Sequence, residues 1–288
     1  MVFRSLSPSA DAMTSHTVRD LVVGLQPSEA RALQTDIRFV EFFGLPGIGK
    51  TTASNLMAKS LQGCGPLIGD VRIAGQTRTF ISRQIHRIGI VIPRFRQTEF
   101  RSLVRRIARF VIQSGQVSLV DAFKVTWNLC SLVAYIEDER GRNNSIIIMD
   151  QGLLQGFWSV FLKSKNRETS ERWFDILSSI GLHDMIFLYL RGGVDVARDR
   201  LQVRGDRSSR MQRTSLDSYR DLWSTADRAC REMVADLERE MRREDHSCVL
   251  AAVEVDRLAS PEDVAEQALE AVLLACLDRH RLCDSATQ

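Results

Sequence analysis

Residues Ile37 to Ser60 read IRFVEFFGLPGIGKTTASNLMAKS, and no other stretch of the chain restricts its fold as tightly. Ile37 to Phe43 is a short apolar and β-branched run, the pattern of a buried strand. Gly44-Leu45-Pro46-Gly47-Ile48-Gly49-Lys50-Thr51 follows and fits G-x-x-x-x-G-K-[ST]. Thr52 to Leu61 then reads as a helix, with Leu56 and Met57 on its inward face and Gly63 as its stop. Strand, glycine-rich turn and helix in that order is the context that makes the pattern a phosphate-binding loop, the P-loop or Walker A motif.

Each residue type has a physical reason. Glycines let backbone N–H groups turn inward and form a concave anion nest without Cβ clashes. The helix that follows points its partial positive end at the same spot. Gly44, Pro46, Gly47, Ile48, Gly49, Lys50, Thr51 and Thr52 are therefore the expected nucleotide-binding residues. Lys50 supplies a mobile charge for the β- and γ-phosphates, and Thr51 a hydroxyl ligand for Mg²⁺.

The chain has 288 residues, enough for one large domain or two smaller ones. Residues 1 to about 36 are expected to be a loosely structured leader, and 37 to about 280 the folded domain. No apolar run approaches the eighteen residues needed to span a bilayer, and the start, MVFRSLSPSADAM, lacks the apolar core of a signal peptide. The six cysteines show no C-x-x-C spacing and read as reduced thiols, which points to a cytoplasmic protein. The net charge of +3 hides an asymmetry: Arg72 to Arg109 holds ten arginines and one acid, Glu99.

Along the chain, residues 66 to 73 read as a second strand and 76 to 140 mostly as helices. Thr98 is the expected N-cap of a helix that turns Phe100, Leu103, Val104, Ile107 and Val111 inward and Arg101, Arg105 and Arg109 outward. Val117 to Ile136 is apolar on nearly all sides and reads as buried, with Phe123, Trp127 and Tyr135 as core. Ser145 to Asp150 is an apolar strand ending in a carboxylate. Helices over Gly152 to Lys163 and Thr169 to Ile180, a strand over Met185 to Leu190 and a helix over Val194 to Val203 come next. An arginine-rich loop (204 to 213), a long helix (Leu216 to Arg243), a strand (Cys248 to Val255) and a helix (Pro261 to Leu277) close the chain. Strands alternating with helices predict a parallel sheet with helices on both faces.

Two further features carry chemistry. Asp150 stands at the carboxyl end of a strand, where it orients Mg²⁺, helps activate an acceptor hydroxyl, or simply caps the next helix. Asp70, taken as the end of the second strand, reads as an acceptor contact, a base or a turn residue. Arg200 and Arg204 lie four apart on one helical face, and Arg207 and Arg210 follow on a small-residue loop. Arginines that close over a migrating phosphoryl group stabilise its charge and exclude water; a solvated charge run is the alternative.

GLPGIGKTT, SIIIMD followed by QG, MIFLYL, VARDRLQVRGDRSSRM and the ending VEVDRLASPEDVAEQALEAV together resemble the P-loop nucleoside and nucleotide kinase superfamily, which includes adenylate and thymidylate kinases. The resemblance implies an α/β, three-layer P-loop NTP hydrolase-type fold with a five-stranded parallel sheet. It also implies a helical acceptor-binding region (about 76 to 140) and a lid (about 204 to 213). Arg204, Arg207 and Arg210 match phosphate-contacting lid residues, Arg200 the arginine at the lid's base, and 256 to 260 the loop beside adenine. Thymidylate kinases carry an arginine directly after the third-strand aspartate, where this chain has Gln151.

The expectation is an ATP- and Mg²⁺-dependent kinase that moves the γ-phosphate to a small acceptor, a nucleoside or nucleotide among the candidates. Catalysis would rest on Lys50, Asp150, Arg204, Arg207 and Arg210, with Thr51 and Asp150 at the metal. The alternatives are an ATP-driven switch that docks its basic helical region on a partner or membrane, and a kinase of a macromolecular or lipid-linked acceptor. The arginine stripe over 98 to 111 suits peripheral membrane contact or a merely solvated face, and the long helix 216 to 243 offers a homodimer surface. Nucleic acid is disfavoured, because the aromatics are not interleaved with the basic residues.

Overall fold

A computed structural model of the chain describes residues 37–63, 70–74, 80–142, 145–166, 172–203, 216–243 and 248–286, without the side chains of 63, 80, 216–220 and 276–286. Residues 1–36, 66–69 and 204–213, to which the sequence assigns the leader, part of a strand and the lid, lie outside that description.

Five strands form one all-parallel sheet: β1 (Phe39–Gly44), β2 (Asp70–Ile73), β3 (Ser145–Met149), β4 (Met185–Arg191) and β5 (Val249–Glu254), in the order β2-β3-β1-β4-β5. Every residue of β1 and β3 is buried, which is why these strands are mostly apolar instead of alternating, with Glu41 of β1 as the exception. Helices flank the sheet. α1 (Lys50–Gly63) packs against α9 (Pro261–Ala286) over β2, β4 and β5. A second group joins α4 (Leu119–Arg140), α5 (Leu153–Leu162) and α8 (Leu216–Arg243), with α5 set against β1. Trp158 on α5 fastens that group by donating its indole N–H to the Ala226 carbonyl on α8 at 3.0 Å. Between β2 and β3 the chain builds a helical layer of α2 (Phe80–Arg94), α3 (Thr98–Gln113) and α4, with α2 and α3 both resting on α4. Short α6 (Trp173–Ser178) and α7 (Val194–Val203) complete the described helices.

Three expectations need correction. The N-cap of α3 is Gln97, not Thr98, whose hydroxyl instead accepts from Arg101 at 3.3 Å. The start of α4 is not core: Ser118 caps it by accepting from the Asp121 amide, while Leu119, Val120 and Phe123 project outward, Phe123 with 69 % of its surface exposed. Ala122, Val125 and Trp127 are partly buried against the core, and full burial begins at Leu129. The expectation that no apolar run approaches bilayer length fails too, since α4 is by length and composition apolar enough to cross a membrane, with 33 % of that window buried inside the protein.

At the amino edge of the sheet, Arg140 ends α4 against Asp184, the residue before β4. Its Nε donates to Asp184 Oδ2 at 2.8 Å, and its other nitrogens reach the carbonyls of Ile180 and Gly181. Asp184 is nearly buried, and its own carbonyl accepts from the amides of Arg38 and Phe39. Removing one partner of such a pair leaves an uncompensated buried charge, so Arg140→Ala should cost about 3 kcal/mol. Urea unfolding measures this, and a loss below about 1 kcal/mol would mean that water solvates Asp184 in the variant.

Candidate functional site

The loop from Gly44 to Thr51 joins β1 to α1 and brings the amino end of α1, with its partial positive charge, to the carboxyl edge of the sheet. Gly47 shows why glycine is required. Its φ is +88°, and a Cβ there would stand 2.3 Å from the Ala197 carbonyl oxygen, because α7 crosses directly over the loop. Ile48 buries its side chain completely, which pins the loop to the core. Lys50 folds back so that Nζ donates to the carbonyls of Gly44 and Leu45 at 2.6 and 2.9 Å. Burial lowers its pKa to about 8 against the opposing pull of nearby Cys230, Asp150 and Glu41. Thr51 Oγ1 donates to Asp150 Oδ2 at 3.0 Å, so the hydroxyl and carboxylate singled out 99 residues apart meet at one point.

A cleft of about 870 Å³ opens over this loop, walled by Pro46 to Ala53, Asp150, Trp158, Arg200 and the turn before α9. Arg200 is a brace: it donates to the carbonyl of Ile48 at 3.1 Å, Asp256 at 3.2 Å and Ala259 at 2.7 Å, tying α7 to the loop and to the turn after β5. Asp256 shapes that turn by accepting from the amides of Leu258 and Ala259. A reciprocal pair between Ser260 and Asp263 then starts α9.

A second cleft of about 560 Å³ lies on the other side of the same wall, sharing Thr51, Asp150, Gln151, Gln155 and Ser159 with the first. Arg72, Arg83, His86, Arg87 and Arg142 line it, against Glu139 on the acidic side. Arg72 is anchored by Glu139 at 2.7 Å and Arg142 by Asp138 at 2.9 Å. Arg83 and Arg87 stand one helical turn apart on α2. Burial, and after it repulsion from Arg83, lower the pKa of Arg87. Two crowded guanidinium groups in a concave site are a place for an anion.

The basic block therefore divides. Arg72, Arg83 and Arg87 turn to the second cleft, whereas Arg101, Arg105 and Arg109 are exposed on the outer face of α3. Asp70 joins neither cleft. It opens β2 at the amino edge of the sheet, opposite Ser145, and pairs with Arg72 at 3.3 Å, so the sequence reading had put it at the wrong end of its strand.

Sequence reasoning missed Glu41. It sits in the middle of β1, fully buried, and its Oε1 accepts from the amide of Gln155 at 3.1 Å at the start of α5. Its Oε2 is buried without a hydrogen-bond partner. Burial raises its pKa to about 8, opposed by the α5 amides. A Cβ on Gly152 would come 2.3 Å from the Glu41 carboxyl carbon, so glycine is needed where the carboxylate presses against the chain. Glu41 thus takes the capping role that had been one option for Asp150, whose carboxylate is left to Thr51. The signal was available: one acid inside the run FVEFFG has to find a buried partner.

Of the other expected site residues, Thr52 and Pro46 line the first cleft. Arg204, Arg207 and Arg210 lie outside the described residues. No known protein-family model matches this chain, and no curated protein matches it in sequence.

Proposed function

We propose that this chain is a P-loop phosphotransferase that moves the γ-phosphate of ATP to a small anionic acceptor carrying a hydroxyl group. The observation that carries this function is the pair of clefts meeting at Thr51 and Asp150. A donor of phosphate needs a loop such as 44–51, and an acceptor needs a second concave site within reach of the terminal phosphate. A switch protein needs no second site there, and the arginines of the basic block that line it favour a bound small anion over a docking face.

In this mechanism the loop and the amino end of α1 hold the β- and γ-phosphates, and Lys50 leaves its carbonyl partners to pair with them. Arg200 keeps the loop and the 256–260 turn in fixed relation, so that the nucleotide is gripped at both ends. Arg83 and Arg87 draw the acceptor's anionic group and hold its hydroxyl near the wall. Asp150 accepts a hydrogen bond at that point and orients the attacking oxygen. Among the described residues no cluster of three or more His, Cys, Asp or Glu side chains is placed to hold a metal. Mg²⁺ does not need one: one or two hard oxygens suffice when phosphates supply the others. The Thr51 hydroxyl and Asp150 carboxylate fit, and Mg²⁺ held there would neutralise phosphate charge.

The test is transfer from γ-labelled ATP to a panel of phosphorylated and unphosphorylated nucleosides and sugars. Labelled product is expected with an anionic acceptor, and Arg87→Ala should raise that acceptor's KM at least about tenfold while leaving ATP affinity unchanged. Hydrolysis without transfer to any acceptor would decide for the switch.

A further inference from the structure

We propose that the outward face of α2 is the seam of a homodimer, with α2 of one copy packed on α2 of a second copy. Ten of the twelve large apolar side chains exposed among the described residues lie between Ile81 and Phe123, and five of those ten follow one line along α2 and its end. They are Ile81, Ile85, Ile88 and Ile92 on α2 and Phe95 in the turn just past it, each between 42 and 70 % exposed. The isoleucine spacing of four, three and four is the 3.5-residue repeat of a helix–helix seam. At 100° per residue the isoleucine strip is about 60° wide, narrower than the apolar face of a helix lying on a core or on lipid.

The flanks identify the occupant. Ser82, Gln84 and Gly89 border the strip and carry no charge, and Val91 beside it is buried, so a twofold pairing of identical strips sets no like charges against each other. A lipid surface would call for basic residues along the strip. The arginines of α2 turn the other way, Arg83 and Arg87 into the second cleft and Arg94 to Glu137 at 2.8 Å. At Gly89 a Cβ would meet nothing within 4 Å, which leaves room for a second backbone to approach. The long helix α8, the expected dimer surface, buries Trp223, Ala226, Cys230, Met233 and Leu237 in the chain's own core instead. Pairing through α2 would also brace the wall of the second cleft from behind, since the opposite face of α2 lines it.

The test reads mass and is independent of any transfer chemistry. Sedimentation of the full chain across a concentration series is expected to give a species near twice 32.6 kDa. In the double variant Ile85→Glu, Ile92→Glu, unpaired carboxylates in the seam should raise the dimer dissociation constant by about 100-fold or more, with the thermal midpoint of the monomer unchanged. Ile88→Cys, at the middle of the strip, provides a second measurement in an otherwise native chain. Under mild oxidation it should form a covalent dimer that the wild-type chain does not. A monomeric wild-type chain, a dimer that survives the double variant, or no cross-link at position 88 would each overturn the proposal. So would a monomer that co-floats with anionic phospholipid vesicles through this face, because lipid would then be the occupant.

Discussion

Lys50→Ala is expected to lower phosphoryl transfer by about 10²–10³-fold and to weaken ATP·Mg²⁺ binding. The lysine is the one side-chain cation brought to the floor of the first cleft by the loop itself, where it holds the carbonyls of Gly44 and Leu45 that it would leave for phosphate in the proposed mechanism. Its pKa of about 8 adds a second signature. Below that value the ammonium is present; above it the free protein loses the charge, while bound phosphate pulls the pKa back up. Binding should therefore take up a proton above pH 8, and affinity should fall by up to about tenfold per pH unit from there. Calorimetry in two buffers of different ionisation enthalpy measures the uptake. Lys50→Ala should abolish it, and Lys50→Arg, always charged, should bind without it. A proton uptake that persists in Lys50→Ala would place the titrating group elsewhere.

Stability should decline as pH rises from about 5 to about 8, and Glu41 is the reason. Its folded pKa of about 8 lies above the value of 4.5 it has when exposed. Its contribution is fully present below pH 4.5, where the carboxyl is neutral in both states, and is lost as pH rises through 8. The slope between those limits can reach about 1.4 kcal/mol per pH unit. Lys50 acts in the opposite sense and in another window: its pKa is depressed from 10.5 to about 8, so its contribution is present above 10.5 and lost as pH falls through 8. Glu41→Gln keeps the oxygen that accepts from the Gln155 amide and removes the ionisation. It should equal the wild type near pH 5, exceed it by up to about 3 kcal/mol at pH 8, and flatten the slope. Glu41→Ala should lose about 2–3 kcal/mol at low pH through the missing cap and the cavity. Denaturant midpoints at four pH values separate these outcomes, and an unflattened slope in Glu41→Gln would rule the carboxyl out.

The centre of the sheet was legible because its strands are buried on both faces: SIIIMD and MIFLYL cannot be amphipathic helices, and β3 and β4 each end within one residue of those runs. The span of α7 was also read correctly, since Val194 to Val203 is bounded by glycines on one side and an arginine-rich turn on the other. The meeting of Thr51 with Asp150 followed from a general property of parallel sheets, whose ligands gather at the carboxyl ends of strands. What escaped depended on partners distant in sequence. Glu41 looks like an anomaly until α5 is placed above it, and Asp70 looks like a strand end until β2 is registered against β3. Val117 to Ile136 misled because apolar composition on all sides suggests burial, and only the position of α4 at the rim of the helical layer exposes Phe123. The second cleft had no local signature either, because α1, α2, α4 and the turn after β3 each bring it a few residues.

Lining shared by two clefts also sets the terms for a ligand that would occupy both. Thr51, Asp150 and Gln155 belong to each cleft, so one molecule with an anion at each end can be built to reach the two. Its second half binds at the effective concentration set by the linker, so a modest fragment for each side becomes a tight compound once joined. The length of that linker is then a ruler for how close donor and acceptor come.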